Sequence, residues 1–235
     1  MIITAIAAII SMSMFSSCEK IKGKGDITTE QRSTGTYNSV SLSMSATVYI
    51  TQDSLYSLEI SGQENVIRQI ETKVEGSRLV ICVRHGVILG NHEPIKVYLT
   101  APDVNRLDIS GSGDIFTENT WHAETISLNI SGSGNINIAG LYAEELSANI
   151  SGSGTIKAAS GNATREELKI SGSGTIDLRS VEAGQVYSTT SGSGDTYIHA
   201  TSLLDVTISG SGDIWYYGNP AVNTHISGSG NLRRM

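Results

Sequence analysis

A single tetrapeptide, Ser-Gly-Ser-Gly, recurs through the second half of the chain at nearly constant spacing. Its seven copies lie 21, 20, 20, 20, 18 and 18 residues apart, and they begin at Ser110, Ser131, Ser151, Ser171, Ser191, Ser209 and Ser227. A period near twenty residues is typical of solenoids, in which each repeat forms one coil and buries its apolar side chains only by stacking on its neighbours. The spacing therefore predicts a stack of coils of 18–21 residues.

Apolar and polar residues alternate on both sides of each copy, as in Leu107-Asp-Ile109 before the first and Asp114-Ile115 after it. This alternation is typical of a β-strand with one buried face, so each repeat is predicted to be strand, glycine corner, strand and a more variable connection. The predicted fold is an all-β solenoid. Its two interior columns would be Ile109, Ile130, Ile150, Ile170, Thr190, Ile208 and Ile226, and Ile115, Ile136, Ile156, Ile176, Thr196, Ile214 and Leu232.

The two glycines of each copy are expected to make the corner, because a Cβ atom would block a positive φ angle or a close approach of two backbones. The serine hydroxyls are expected to bond to nearby backbone groups or to the serine of the coil above. Glu166 interrupts a third apolar column, and we expect it to turn out of the core or to find a partner. The other members of that column are Ile126, Leu146, Val186, Leu204 and Val222.

The first seventeen residues carry no charge, and Phe15-Ser-Ser-Cys18 then resembles a bacterial lipobox. We expect residues 1–17 to be a lipoprotein signal peptide, Cys18 to be lipidated, and residues 18–34 to form a flexible tether. The protein would then be exported and lipid-anchored to the bacterial outer membrane or cell surface, with the periplasmic face of the membrane as the alternative location. The absence of Lys or Arg before Lys20 departs from a typical signal, and the alternative is a short membrane-embedded or core segment.

Residues 35–235 are predicted to form one solenoid domain, with irregular first coils at 35–105 and the repeats at 106–235. Cys82 would be the only cysteine left besides Cys18, so no disulfide is expected within the domain. Its strand, Leu79 to Val83, predicts a buried thiol and not a reactive one. The net charge of −7, dispersed along the chain, disfavours nucleic acid as a partner.

The lipobox, the strand-rich first half and the repeated Ile-Ser-Gly-Ser-Gly-x-Ile motif together resemble the putative auto-transporter adhesin, head GIN domain family. The resemblance covers roughly residues 37–232. It implies a right-handed, single-stranded β-helix on a surface lipoprotein. It carries over no catalytic residues.

Three kinds of chemistry are considered for the repeats and the histidines: calcium binding, a serine nucleophile and zinc binding. The Gly-x-Gly-x-Asp pattern is similar to calcium-binding repeats, but the last position is Asp at 114, 195 and 213 and Asn or Thr elsewhere, which favours turn capping over a metal. The Ser-Gly-Ser-Gly corner lacks nucleophile-elbow spacing, and the five histidines lack zinc spacing. We therefore expect no catalytic residue, no metal and no cofactor.

One outward patch is a candidate ligand-binding site. Counting alternately from two successive corners places six side chains on the same outer face, which are Asp195, Tyr197, His199, Asp213, Trp215 and Tyr217. Aromatic rings flanked by carboxylates can bind a sugar or a protein. The alternative is a cross-strand aromatic ladder that only stabilises the surface.

The sequence therefore predicts a non-enzymatic, adhesin-like binding module for a glycan or a protein. A carbohydrate-active enzyme, such as a polysaccharide lyase or glycosidase, is the first alternative, because β-helices also carry such enzymes. The second is a structural envelope protein that self-associates through an open strand edge at the C-terminal end of the solenoid.

Overall fold

The structure, a computed structural model, describes residues 19–235, so the predicted signal peptide and the lipidation site Cys18 lie outside it. The first part contains β1 (Glu19–Ile21), β2 (Ile27–Gln31), β3 (Ser39–Leu42), β4 (Thr47–Gln52), β5 (Ser57–Gln63), α1 (Glu64–Ile67), β6 (Ile70–Glu75), β7 (Arg78–Val83), β8 (Val87–Leu89) and β9 (Lys96–Ala101). The second part contains β10 (Arg106–Ile109), β11 (Asp114–Thr117), β12 (Thr120–Ile130), β13 (Asn135–Ile138), β14 (Gly140–Ile150), β15 (Thr155–Ala158), β16 (Gly161–Ile170), β17 (Thr175–Thr190), β18 (Asp195–Gly210), β19 (Ile214–Tyr217), β20 (Ala221–Gly228) and β21 (Leu232–Arg234). Across residues 19–235, no helix combines the length and the apolar character needed to cross a membrane.

The repeats stack as parallel coils in the predicted register. Ile109 lies beside Ile130, which lies beside Ile150, and the column continues in this way to Ile226. Both interior columns are almost completely buried except in the last coil, where Ile226 is 41% exposed. The all-β solenoid fold is therefore confirmed, and its core is a set of aligned apolar columns.

The connection that looked variable in the sequence is itself a strand. β12 and β14 pair in parallel over nearly their whole length, with Trp121 beside Leu141 and Ile130 beside Ile150. Each of these long strands therefore supplies the third side of one coil and the first side of the next. Trp121 is 1% exposed, so the third side also faces the core.

The glycine corners are as tight as the sequence predicts. Gly152 has a φ of +155°, and a Cβ atom on it would lie 2.2 Å from the carbonyl oxygen of Gly132 in the preceding coil. A Cβ on Gly154 would lie 2.3 Å from the oxygen of Gly134. Because contacts this short do not occur for real Cβ atoms, neither glycine of the corner can carry a side chain without a shift of the backbone.

The first part of the chain builds the other end of the stack. β3 and β4 pair in parallel with β10 and β11 on one side and with β7 and β9 on the other. Beyond them the direction changes, because β6 pairs antiparallel with β7, and β5 pairs antiparallel with β9. These antiparallel strands end the regular coil pattern.

The segment expected to be a flexible tether contains two strands instead. β1 pairs in parallel with β8, and β2 pairs antiparallel with β5. The Arg32 guanidinium also donates hydrogen bonds to the carbonyl oxygens of Ile67 and Ile70, at 2.8 and 2.7 Å. The segment is ordered because β5 would otherwise be an unpaired edge, and its β-branched residues Ile27, Thr28 and Thr29 favour an extended strand.

The expectation for Glu166 is also wrong, because its side chain neither turns out of the core nor finds a partner. Its side chain is fully buried between Leu146 and Val186, and neither carboxyl oxygen has a hydrogen-bond partner among the described residues. Desolvation raises its pKa well above the usual value, so the carboxyl is held in its neutral form. The hydroxyls of Thr190 and Thr196, which interrupt the two isoleucine columns, are likewise buried without a partner in residues 19–235.

The sequence predicts a buried Cys82, but in the structure Cys82 is partly exposed. Desolvation raises the pKa of its thiol, and the neighbouring carboxylate of Glu71 raises it further. A raised pKa lowers the thiolate fraction, which is consistent with the expectation of an unreactive thiol.

Candidate binding surface

The six residues of the predicted patch lie together: Asp195, Tyr197 and His199 are in β18, Asp213 directly precedes β19, and Trp215 and Tyr217 are in β19. Tyr197 lies beside Trp215, and His199 lies beside Tyr217, in the parallel register of the two strands. All six side chains are half-buried, since the alternate residues of both strands fill the core. The patch therefore exists as a continuous outer surface across two neighbouring coils.

The aromatic rings of the patch cover one another. The Tyr197 and Trp215 rings are parallel, with centroids 4.7 Å apart and an interplanar angle of 7°. The Arg179 guanidinium, from the preceding coil, lies 4.1 Å from the Tyr197 centroid on the opposite side. Both faces of Tyr197 are therefore occupied, and a ligand would meet the ring edges of the stack.

His199 and Tyr217 are arranged less tightly. Their ring centroids are 6.3 Å apart and their planes are tilted by 57°. The pair leaves the edges of both rings at the surface, beside the tighter stack formed by Tyr197 and Trp215.

The carboxylates of the patch cap the next coil. Asp195 accepts a hydrogen bond from the backbone N–H of Asp213 at 3.1 Å, and Asp213 accepts one from the backbone N–H of Asn231 at 2.8 Å. Asp114 accepts the N–H of Asn135 in the same way, at 3.1 Å. These contacts match the turn-capping interpretation of the aspartates. Each of the two aspartates of the patch thus uses one carboxylate oxygen to hold the backbone of the next coil.

Charged side chains border the patch on both sides. The Arg179 Nε atom lies 2.7 Å from a carboxylate oxygen of Asp177, and this hydrogen bond raises the pKa of the guanidinium, which stays charged above Tyr197. Arg233 lies 3.7 Å from Asp213 and beside Trp215 in the next coil. The surface thus combines cations, carboxylates and aromatic edges, which suits a polar ligand.

A second aromatic ladder occupies the far end of the same face. Tyr49 stacks on Tyr98 with centroids 5.2 Å apart and on Phe116 with centroids 5.7 Å apart. Strand register places both ladders in one line, the outer column, which runs Tyr98, Tyr49, Phe116, Asn137, Lys157, Asp177, Tyr197, Trp215 and Arg233. Sequence reasoning missed Tyr98 and Tyr49 because the first half of the chain lacks the corner motif that would have aligned them, and it did not extend the column to Phe116, which follows the first corner.

In residues 19–235, no cluster of three or more His, Cys, Asp or Glu side chains is arranged to hold a metal ion.

Comparison with known proteins places the chain in a described family. Residues 36–220 match the family described as putative auto-transporter adhesin, head GIN domain. No match was found among curated proteins.

Similar folds occur in solved structures. A putative adhesin from Bacteroides fragilis NCTC 9343 is 25% identical, with a TM-score of 0.87 over 92% of this chain and 100% of that one. A putative lipid binding protein from Parabacteroides distasonis ATCC 8503 is also 25% identical, with a TM-score of 0.75 over the same shares. A putative adhesin from Parabacteroides merdae ATCC 43184 is 23% identical, with a TM-score of 0.76 over 92% of this chain and 99% of that one, and it is similar in fold.

Proposed function

The chain belongs to the putative auto-transporter adhesin, head GIN domain family, and on this premise we propose that it is a non-enzymatic binding module for a glycan or a protein. The observation that carries the proposal is the outer column, in which rigid strands present aromatic and charged side chains along one face. A similar fold in a protein named as an adhesin supports the same conclusion.

The stacked geometry decides how such a ligand would be bound. Since Arg179 and Trp215 cover the faces of Tyr197, the rings lose little conformational freedom when a ligand arrives. The edges of the Trp215, Tyr217 and His199 rings then provide the contact area. A ligand with its own polar groups could also pair with Arg179 and Arg233.

The test is a binding screen of the purified chain on a glycan array and on immobilised mucin, with Trp215→Ala as the probe variant. We expect the wild type to bind and Trp215→Ala to bind about tenfold more weakly. Tyr142→Ala is the matched control, because Tyr142 is also an exposed ring in a stacked pair, with His122 at 5.2 Å, but lies outside the outer column. Equal binding by both variants and the wild type would show that the patch is only a structural ladder.

We also propose that the protein is exported and held at the bacterial surface by a lipid on Cys18. The uncharged segment before Cys18 and the family's description as adhesins support this location. Phase partitioning in a cloud-point detergent tests it, because the lipidated full chain should enter the detergent phase and Cys18→Ser should stay in the aqueous phase. Identical partitioning of the two would contradict lipidation.

Self-association is a second candidate function, supported by one observation on β20. Val222 and Ile226 continue the interior columns but are 40% and 41% exposed, and among the described residues β20 pairs with β18 alone. A second copy pairing with this edge would cover both side chains. Sedimentation should then show concentration-dependent dimers that Ile226→Lys abolishes, whereas a strict monomer at high concentration contradicts the idea.

A further inference from the structure

A groove runs along the solenoid beside the glycine corners, on a different side from the outer column. The first serine of each corner lines it, from Ser110 through Ser131, Ser151 and Ser171 to Ser191, and it extends to Ser43 at one end. Its volume is about 640 Å³. Six stacked coils at a strand spacing of about 4.8 Å give it a length of about 24 Å. A shallow groove of this length is shaped for an extended chain and not for a compact small molecule.

The serine hydroxyls in this corner groove are not used by the fold. The backbone N–H groups of these serines continue the ladder across the corner, as in the bond from Ser131 to the oxygen of Ile109 at 2.8 Å. Within residues 19–235, however, the five hydroxyls make no hydrogen bond to a backbone group or to each other, contrary to the sequence expectation. Each hydroxyl is therefore free to donate and to accept a hydrogen bond from a ligand.

Beside the serines, a ladder of amides held by hydrogen bonds also lines the corner groove. The side-chain nitrogen of Asn129 donates to Asp108 at 2.8 Å and to the Ser127 hydroxyl at 3.0 Å. Asn149 donates to Asn129 at 3.0 Å and to the Ser147 hydroxyl at 3.1 Å. Because these side chains are already held in place, binding a ligand would cost little additional ordering.

The corner groove is positively charged although the chain carries a net charge of −7. Three basic side chains line it, Arg78, Arg106 and Lys169, against one acidic side chain, Asp108. Both arginines approach that carboxylate, at 4.0 and 2.8 Å, so the two arginines and Asp108 together carry one positive charge in excess. The partner of Lys169, Glu167, lines a neighbouring groove. The local charge favours an anionic ligand.

We propose that the corner groove binds an extended glycan chain that carries carboxylates. Its hydroxyls and amides suit the hydroxyl groups of sugars, and its basic side chains suit uronate carboxylates. An extended peptide fits less well, because the backbone groups beside the groove are already paired between coils and offer no free strand edge. The proposal rests on the proposed function only in taking the chain to be a binding module, and it assigns a different surface and a ligand class.

The test measures binding of the purified chain to immobilised polygalacturonate, with neutral dextran as the uncharged comparison. We expect polygalacturonate to bind, dextran to bind at least tenfold more weakly, and added salt to weaken the polygalacturonate complex. The probe variant is Ser151→Glu, which places a negative charge in the corner groove. The matched control is Ser153→Glu, since Ser153 is an exposed serine of the same corner that does not line the groove.

We expect Ser151→Glu to weaken binding about tenfold, equal to about 1.4 kcal/mol, and Ser153→Glu to change it less than twofold. Lys169→Ala gives a second, independent loss if Ser151→Glu fails to fold as judged by circular dichroism. Equal effects of both serine variants, or dextran binding as tight as polygalacturonate binding, would overturn the assignment and leave the proposed function standing. No binding of polygalacturonate would overturn this inference as well, and the glycan and mucin screen would then decide the proposed function separately.

Discussion

Replacing Glu166 with leucine should stabilise the protein, and by more as the pH rises. The carboxyl lies between Leu146 and Val186 in a column otherwise filled by apolar side chains, with no hydrogen-bond partner in the described chain. A buried polar group left unsatisfied costs about 1–3 kcal/mol. Glu166→Leu removes that cost and adds apolar contacts of the kind that Leu146 already makes, so we expect at least about 2 kcal/mol of stabilisation at acidic pH.

The pH dependence follows from the direction of the pKa shift. Burial raises the folded-state pKa of Glu166 well above the unfolded value of 4.5. Its contribution to stability is therefore fully present below pH 4.5 and is lost as the pH rises toward the folded-state pKa. Over that interval the gap between Glu166→Leu and the wild type should widen by about 1.4 kcal/mol for each pH unit.

Thermal and urea unfolding at a series of pH values from 4 upward would measure this gap, since about 1 kcal/mol corresponds to about 2–4 °C for a domain of this size. Glu166→Gln separates the two effects, because it removes the pH dependence and keeps the buried polar group. Glu167→Leu is the surface control, since Glu167 is half-exposed and paired with Lys169, and it should change stability by less than about 0.5 kcal/mol. A Glu166→Leu protein no more stable than the wild type, or a gap independent of pH, would refute the reasoning.

Three further changes test the core, the corner and the free thiol. Gly154→Ala should cost about 3 kcal/mol or more in unfolding free energy, because its Cβ would lie 2.3 Å from a carbonyl oxygen, while Gly35→Ala, with its nearest atom at 4.0 Å, should be nearly neutral. Thr196→Ile should raise the unfolding free energy by about 1–2 kcal/mol in the same assay, because it removes an unpartnered hydroxyl from an isoleucine column. A lower unfolding free energy would mean that the added carbon atoms overpack the column. Cys82 should react with a thiol reagent at pH 8 several-fold more slowly in the folded chain than in urea, since its pKa is raised; equal rates would contradict this.

The sequence was sufficient for the parts of the fold that repeat. The corner motif aligned Ile130 with Ile150 and Ile170, and the structure confirms that register because parallel pairing of identical coils leaves no competing alignment. The third side of each coil carries no repeated motif that would align it in the sequence. Its core position holds Trp121 in one coil, Leu141 in the next and Gly161 in the one after, so the column has no common residue type.

Glu166 and the first aromatic ladder show two other reasons for missed features. Glu166 was expected to turn out of the core or to find a partner, whereas its carboxyl is buried without one, and desolvation raises its pKa and favours the neutral form. Tyr49 and Tyr98 become neighbours through coils whose strands are far apart in sequence and share no motif. The patch around Trp215 was located from the sequence, but the covering of the Tyr197 ring by Arg179 required coordinates.

The stacked corners present one equivalent set of side chains per coil, at a constant spacing along the solenoid axis. Duplicating a whole repeat, such as residues 151–170, would move every later coil along the axis by about 4.8 Å and leave each side chain on its original face. Any polymer lying along the serines would then gain one more equivalent contact. The length of the surface that contacts a polymer can therefore change by gain or loss of twenty-residue units, while the cross-section of the protein stays the same.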